Sequence, residues 1–231
     1  MLAVAATPEQ GKLLRVSQIE KALRAAGRQR NLRSKAEQIS AALRTEQLTA
    51  QPLVTLAYGA TVRSAVAVLT ALTQQIELLG EQVEASFGQH PDAQIILSQP
   101  GLGPILGARV LAEFGDDPDR YADAKARKNY SGMSPITRSS GTRRVVLARY
   151  ARNQRLSDAL YLQAFSALSS SPGARGYYDT HRARGATHHQ ALRSLGNRLV
   201  GILHGCLRHK TTYREDTAWP NMINREQAAA A

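Results

Sequence analysis

Residues 92–116, DAQIILSQPGLGPILGARVLAEFGD, read as helix, turn, helix. In the turn QPGLG, Pro100 fixes one backbone dihedral, and Gly101 and Gly103 permit tight or left-handed backbone. The pattern predicts a short helix over 93–98 and a second over 104–114. A helix beginning directly after such a turn offers unsatisfied N–H groups, and its dipole favours an anion there. Gly101 and Gly103 are therefore candidates to present backbone donors to a phosphate. Arg109, one and a half turns further on, is a candidate charged donor. An element of this helix-hairpin-helix-like kind grips a nucleic-acid backbone without reading base sequence. Its rival is an ordinary tight turn joining two packed helices.

Downstream, the chain predicts a compact helical domain over 91–215. A helix around 122–130 precedes a loop, SGMSPITRSSGTRR (131–144), and then a long helix over 145–169. After SSSPGARG (169–176), residues 177–210 read as mostly helical, with Leu192, Leu195, Leu199, Ile202 and Leu203 on one side. Residues 216–231 are expected to form a flexible tail. Upstream, residues 12–90 read as a helical coiled-coil connector. Val62, Ala65, Leu69, Leu72, Ile76, Leu79 and Val83 alternate steps of three and four, the rhythm of a coiled-coil seam. Shorter stripes run through Val16, Ile19, Leu23 and Ala26, and through Ala36, Ile39 and Leu43, with turns at GRQRN (27–31) and TAQP (49–52). The expected fold is all-α: an elongated helical and coiled-coil segment, then the compact helical domain. The seam spans about three heptads, a length that calls for a partner within the chain or in another chain.

The 30 Lys and Arg against 18 Asp and Glu leave a net charge of +12, which draws in polyanions and makes nucleic acid the first partner to test. The basic residues are not spread evenly. Between Ala124 and Ser157 there is no Asp or Glu, yet this interval holds Lys125, Arg127, Lys128, Arg138, Arg143, Arg144, Arg149, Arg152 and Arg155. Within it, TRSSGTRR (137–144) has three readings: a solvated basic loop, a phosphate grip, or a serine placed to attack a phosphodiester. Arginines there would withdraw charge from a phosphate and stabilise its transition state. Serines in glycine-rich loops, however, are mostly caps and turn residues.

Other chemistries find little support. Cys206 is the one cysteine, so an intrachain disulfide is excluded and a buried thiol is the expectation. The six histidines lack zinc spacing, and His188 and His189 fit packing or phosphate contacts better than metal. The acidic run FGDDPDRYADA (114–124) fits helix capping better than cation binding. Neither a phosphate-binding loop ending in Gly-Lys-Ser/Thr nor a Gly-x-Ser-x-Gly elbow is present. Nothing apolar approaches the ~18 uninterrupted residues of a membrane span, and no secretory leader is visible. A soluble, cytoplasmic protein with no metal site of its own and no membrane partner is expected.

Taken in order, Pro-Gly-Leu-Gly (100–103), Phe-Gly-Asp (114–116), Tyr-Ser-Gly-Met-Ser-Pro (130–135), Ser-Ser-Gly (139–141) and Arg-Asn-x-x-Leu (152–156) resemble the C-terminal domain of the Piv/MooV-like transposases of bacterial insertion sequences. The likeness covers about residues 92–215. It implies a serine that attacks DNA, carried over to Ser140, which directly precedes Gly141, with Ser139 as the neighbouring fallback. It also implies an amino-terminal RNase-H-like domain whose four acidic residues bind magnesium, joined by a coiled coil, and in some members a structured guide RNA. Residues before Asp92 contain no aspartate and resemble the coiled-coil connector, not the nuclease-like domain. The expectation that follows is a truncated transposase, inactive alone. DNA is its partner, a structured RNA is a candidate partner, and the coiled coil pairs it with itself or with a full-length relative. Magnesium is expected only with a complementing nuclease-like domain. Tyr150 departs from the family pattern, which has a small or basic residue there.

Overall fold

The computed structural model describes residues 1–46 and 48–220. The described residues are mostly helical, with a two-stranded sheet, and they divide into two compact units, Met1–Leu79 and Gly80 onward.

In the first unit, α1 (Pro8–Lys12), α2 (Val16–Ala25) and α3 (Leu32–Arg44) form a small bundle. The two short stripes seen in the sequence face each other: Ile19 and Ala36 are fully buried, with Leu23, Ile39 and Leu43 packed around them. Gly27 (φ 80°) and Asn31 (φ 52°) take the left-handed backbone that turns α2 into α3. Next comes α4 (Pro52–Gly88), 37 residues long, in which the unit boundary falls. Only Gly59 and Phe87 of α4 are buried. The seam residues Leu69, Leu72, Ile76 and Leu79 are all more than half exposed, so the seam is not filled among the described residues. By length and composition alone α4 is also apolar enough to cross a membrane. That is the exception to the expectation that no segment approaches such a length, and it arises because Ala, Thr and Gly interrupt the larger apolar residues without adding charge.

The second unit holds α5 (Ala93–Leu97), α6 (Pro104–Phe114), α7 (Ala124–Tyr130), β1 (Ile136–Ser140), β2 (Arg143–Leu147), α8 (Gln154–Ser170), α9 (Pro172–Ala183), α10 (His188–His209) and α11 (Glu215–Ala218). Its core forms two clusters along α8 and α10. Leu156, Leu160, Val200 and Leu203 meet Ile96, Val110 and Phe114 at one end, while Leu192, Leu195 and Leu199 meet Ala174 and Trp219 at the other. Gly101 (φ 79°) could not be any other residue, because a Cβ there would collide with the backbone of α8 at Gln163 and Ala167.

Two expectations are corrected. Residues 136–147 are not a loop running into a helix but an antiparallel hairpin, and the helix expected from 145 begins at Gln154. Val145, Val146 and the β-branched residues before Gly141 favour strand. Asn153 then caps the helix by accepting a hydrogen bond from the Leu156 N–H (3.1 Å). Order also extends beyond residue 215: α11 forms, and Trp219 is buried against Gly173, where a side chain would overlap the indole. Residues 221–231, the rest of the expected tail, lie outside the described residues.

Candidate nucleic-acid interface

The hairpin is closed by a two-residue turn, Gly141-Thr142, in which Gly141 has φ 55° and Thr142 keeps negative φ, as a type II′ turn requires. The register sets Ser140 opposite Arg143 and Ser139 opposite Arg144. Side chains alternate along a strand and directly opposed residues share a face. Ser140 therefore shares its face with Arg143 and Arg138, and Ser139 shares the other with Arg144. All five are exposed. Neither serine hydroxyl has a side-chain hydrogen-bond partner among the described residues, so no general base is hydrogen-bonded to either.

The remaining cations of the acid-free interval have separate fates. Arg149 donates to the Ser134 carbonyl (3.3 Å) and to Asn129 Oδ1 (3.2 Å), and Arg152 donates to the Arg149 carbonyl (2.9 Å). Arg152 also lies across Gly132, whose φ of 74° and missing Cβ make room for it. These two brace the base of the hairpin. Lys125 and Arg155 are exposed. Lys128 is half-buried and lines a cavity.

Arg127 is withdrawn from the surface altogether. At 4% exposure, its guanidinium lies 4.9 Å from the Phe114 ring and 4.8 Å from Tyr121. Its Nε and Nη1 find no hydrogen-bond partner among the described residues, and burial pulls its pKa below the ordinary arginine value. The aromatic faces offset part of that cost. Arg127 is thus a core residue rather than a phosphate contact.

At the other candidate grip, Gly103 is exposed and N-caps α6, with open space where a Cβ would stand, and Arg109 is exposed. Gly101 is half-buried and packs closely on the α8 backbone. The acidic run caps, as expected: Asp123 accepts from the Ala126 N–H (2.7 Å), and Asp117 accepts from the Asp119 N–H (2.8 Å). No group of three or more metal-ligating side chains exists among the described residues. His188 and His189 accept or donate through Nδ1 to Tyr178 (2.7 Å) and Tyr161 (2.6 Å). Cys206 is half-buried, not buried, and lines the same cavity as Lys128.

One cluster was not anticipated. Asn153 Nδ2 donates to Glu113 Oε2 (2.6 Å) and to the Tyr130 hydroxyl (3.1 Å), and the Asn153 N–H donates to the Tyr130 carbonyl (3.1 Å). Glu113 borders Phe-Gly-Asp, Tyr130 opens Tyr-Ser-Gly-Met-Ser-Pro, and Asn153 belongs to Arg-Asn-x-x-Leu. Three motifs distant in sequence thus converge on one bracket beneath the hairpin. An asparagine three residues before a core leucine is the signal that would have revealed its cap.

This arrangement is that of a helical domain presenting an arginine-and-serine hairpin, and residues 93–179 match the family described as Transposase IS116/IS110/IS902 family. Along all of its length the chain is 40% identical to a mini-circle protein assigned as the transposase for IS117 in Streptomyces coelicolor, covering 55% of that protein. It is 36% identical, over 63% of its length, to the uncharacterized 43.6 kDa protein of insertion element IS110 from the same organism, and 37% identical, over 64%, to the uncharacterized 42 kDa protein of insertion element IS900 from Mycobacterium paratuberculosis. The chain covers 36% and 37% of those two, so it spans about half or less of these relatives.

Proposed function

We propose that this chain is the DNA-binding part of an insertion-sequence transposase of the cell interior, with the hairpin 136–147 lying on DNA phosphates and Ser140 as a latent nucleophile. The observation that carries the reading is the register: an exposed serine shares one hairpin face with Arg138 and Arg143, in an interval without a carboxylate. Such donors bind a phosphodiester and stabilise the extra charge of a phosphorane-like transition state. In the step itself, Ser140 Oγ forms a bond to phosphorus, the P–O bond to the departing strand breaks, and that strand's oxygen takes up a proton. An unactivated serine hydroxyl is a weak nucleophile. With no base beside it here, binding without turnover is the expected behaviour of this chain by itself. The resemblance assigns the missing metal assistance to a magnesium-binding nuclease-like domain. Gly103 at the α6 N-terminus, with Arg109, is a second phosphate contact in this reading, and the exposed seam of α4 pairs with a second copy of itself.

The test is DNA binding against salt concentration. A steep decline is expected, and changing Arg138 and Arg143 together to Ala should lower the slope by about two, at roughly 0.9 per phosphate contact. A flat salt response would sink the DNA reading, and a marked preference for structured RNA would redirect it to a guide. For the nucleophile, the chain is incubated with element-end DNA and magnesium, with and without a nuclease-like domain from a complete relative. A denaturation-resistant protein–DNA band is expected only with that domain and only with Ser140 present. Adducts persisting in the Ser139→Ala/Ser140→Ala double variant would remove this hairpin as the nucleophile.

A further inference from the structure

Between α7, α10 and the segment leading into α11 lies a cavity of 540 Å³. Its lining includes Lys128, Arg198, His209 and Arg214, and no Asp or Glu. Two of these basic side chains are already engaged: Arg214 is paired with Asp216 (2.6 Å), and Arg198 donates to the Ala218 carbonyl (2.9 Å) over the Trp219 ring. Lys128 makes no ion pair or side-chain hydrogen bond among the described residues. Burial, and then the neighbouring Arg198, hold its pKa below the usual lysine value. The half-buried Lys128 thus shares the cavity wall with the exposed Arg198 and with no Asp or Glu of the lining, an arrangement that an anionic ligand would neutralise.

The glycines of α10 supply an independent observation. Glycine inside a helix costs about 1 kcal/mol relative to alanine, so each calls for a reason. A Cβ on Gly196 would press on Met133 Sδ at 2.8 Å, and a Cβ on Gly201 would stand 2.9 Å from both Cε and Nζ of Lys128. A Cβ on Gly205 would meet nothing within 4 Å. Gly196 makes room for packing, and Gly201 lets the Lys128 side chain lie across the helix. Gly205 has no such role in the described chain; it leaves bare backbone on the cavity wall, one turn from Gly201 and beside Ile202. Bare helix backbone next to cations suits close approach of a flat group that carries a phosphate. The volume is that of a small-molecule site and exceeds the needs of a lone phosphate.

We propose that this cavity binds one nucleotide unit, with the phosphate on Lys128 and Arg198 and the base against the open helix surface at Gly205 and Ile202. The shared chemistry is a phosphate bearing a nucleobase. Either a free mononucleotide or a nucleotide swung out of a bound strand supplies it, and the strand source rests on the DNA reading above.

Cys206, the chain's one cysteine, lines the cavity and reports its occupancy. The rate of Cys206 alkylation by iodoacetamide is measured on the full chain with dAMP, adenosine, or a short oligothymidylate added. At about ten times its Kd, dAMP or the oligonucleotide should slow alkylation about tenfold, adenosine should not, and Lys128→Gln should abolish the protection. Gly205→Leu fills open space and favours helix, so its melting temperature should hold or rise while nucleotide binding by calorimetry is lost. Protection by the oligonucleotide alone assigns the source to a strand; protection by dAMP assigns it to free nucleotide as well. An unchanged alkylation rate with both phosphorylated probes overturns the proposal. So does equal protection by adenosine, or wild-type affinity in Gly205→Leu. If dAMP protects while DNA binding is salt-independent, the hairpin reading falls and the cavity stands. Salt-dependent DNA binding with Cys206 unprotected overturns the cavity alone.

Discussion

α4 and α10 are the longest helices among the described residues, and both carry apolar residues at steps of three and four. Their environments are opposite. Leu192, Leu195, Leu199 and Leu203 of α10 are at most 1% exposed, whereas Leu69, Leu72, Ile76 and Leu79 of α4 are 53–68% exposed. The α10 stripe meets α8, α9 and the Trp219 indole. The α4 stripe is left more than half uncovered among the described residues. Periodicity states that a helix has an apolar face to cover, and it is silent on which molecule covers it.

Three changes would break or sharpen this contrast. The largest effect is expected from Leu199→Ala, which removes fully buried methyl groups and leaves a cavity between α10 and its neighbours. A loss of about 2–5 kcal/mol is expected from urea unfolding. A loss below about 1 kcal/mol would mean that α10 is not the centre of its unit.

A middle effect is expected at Tyr213, whose hydroxyl donates to Glu215 Oε2 (2.6 Å) and accepts from Trp219 Nε1 (2.8 Å), fastening α11 onto the core. Tyr213→Phe removes the acceptor of the Trp219 N–H and one donor to Glu215, and should cost about 1–3 kcal/mol at neutral pH. Burial, then the bond to Glu215, raises the Tyr213 pKa from 10.0 to about 12. Between those values the unfolded chain releases the phenol proton while the folded chain retains it. Folding is therefore progressively disfavoured as pH rises through that window. The stability gap between wild type and Tyr213→Phe should shrink from pH 10 to pH 12 in thermal melts. A constant gap would mean that the tyrosine does not hold its proton through this contact.

The smallest effect on folding is expected from Leu72→Lys. An exposed position should change unfolding by no more than about 0.5 kcal/mol. Association is where it should act: sedimentation across a concentration series should show a lower mass for the variant if α4 pairs with a second copy. Equal masses for both chains at every concentration would take the seam out of the account, and a large loss of stability would mean that Leu72 is covered within the chain.

Much of the second unit is legible residue by residue. The bounds of α5 and α6 follow from Pro100, Gly101, Gly103 and Pro104, because caps, proline dihedrals and positive φ are properties of a few adjacent residues. The hairpin was missed for an equally physical reason. Val145–Leu147 passes into Ala-Arg-Tyr-Ala-Arg, a mixture of apolar and basic residues that helix tolerates well, and two largely exposed edge strands show no buried alternation to betray them. The available sign was β-branched residues on both sides of a Gly-x turn. Arg127 offers a similar lesson. It stands two residues from Lys125 in α7, and positions two apart on a helix do not share a face, so one basic run was bound to split between solvent and core. What places it beside Phe114 and Tyr121, however, is a contact with another part of the chain.

Charge balance, the acid-free interval, the turns and the order of motifs are all present in the linear chain, because each depends on neighbours in sequence or on a sum over residues. They suffice for a basic, mostly helical protein with a transposase-like second half. Folding made the remaining choices through long-range contacts: Gly101 against the α8 backbone, Asn153 against Glu113, and Trp219 over Gly173. Those contacts select which arginines stay on the hairpin, which become braces, and which is buried. They also leave Gly205 facing open space and the α4 seam facing solvent. A side chain's exposure is set by whatever packs over it, and that neighbour is seldom adjacent in sequence.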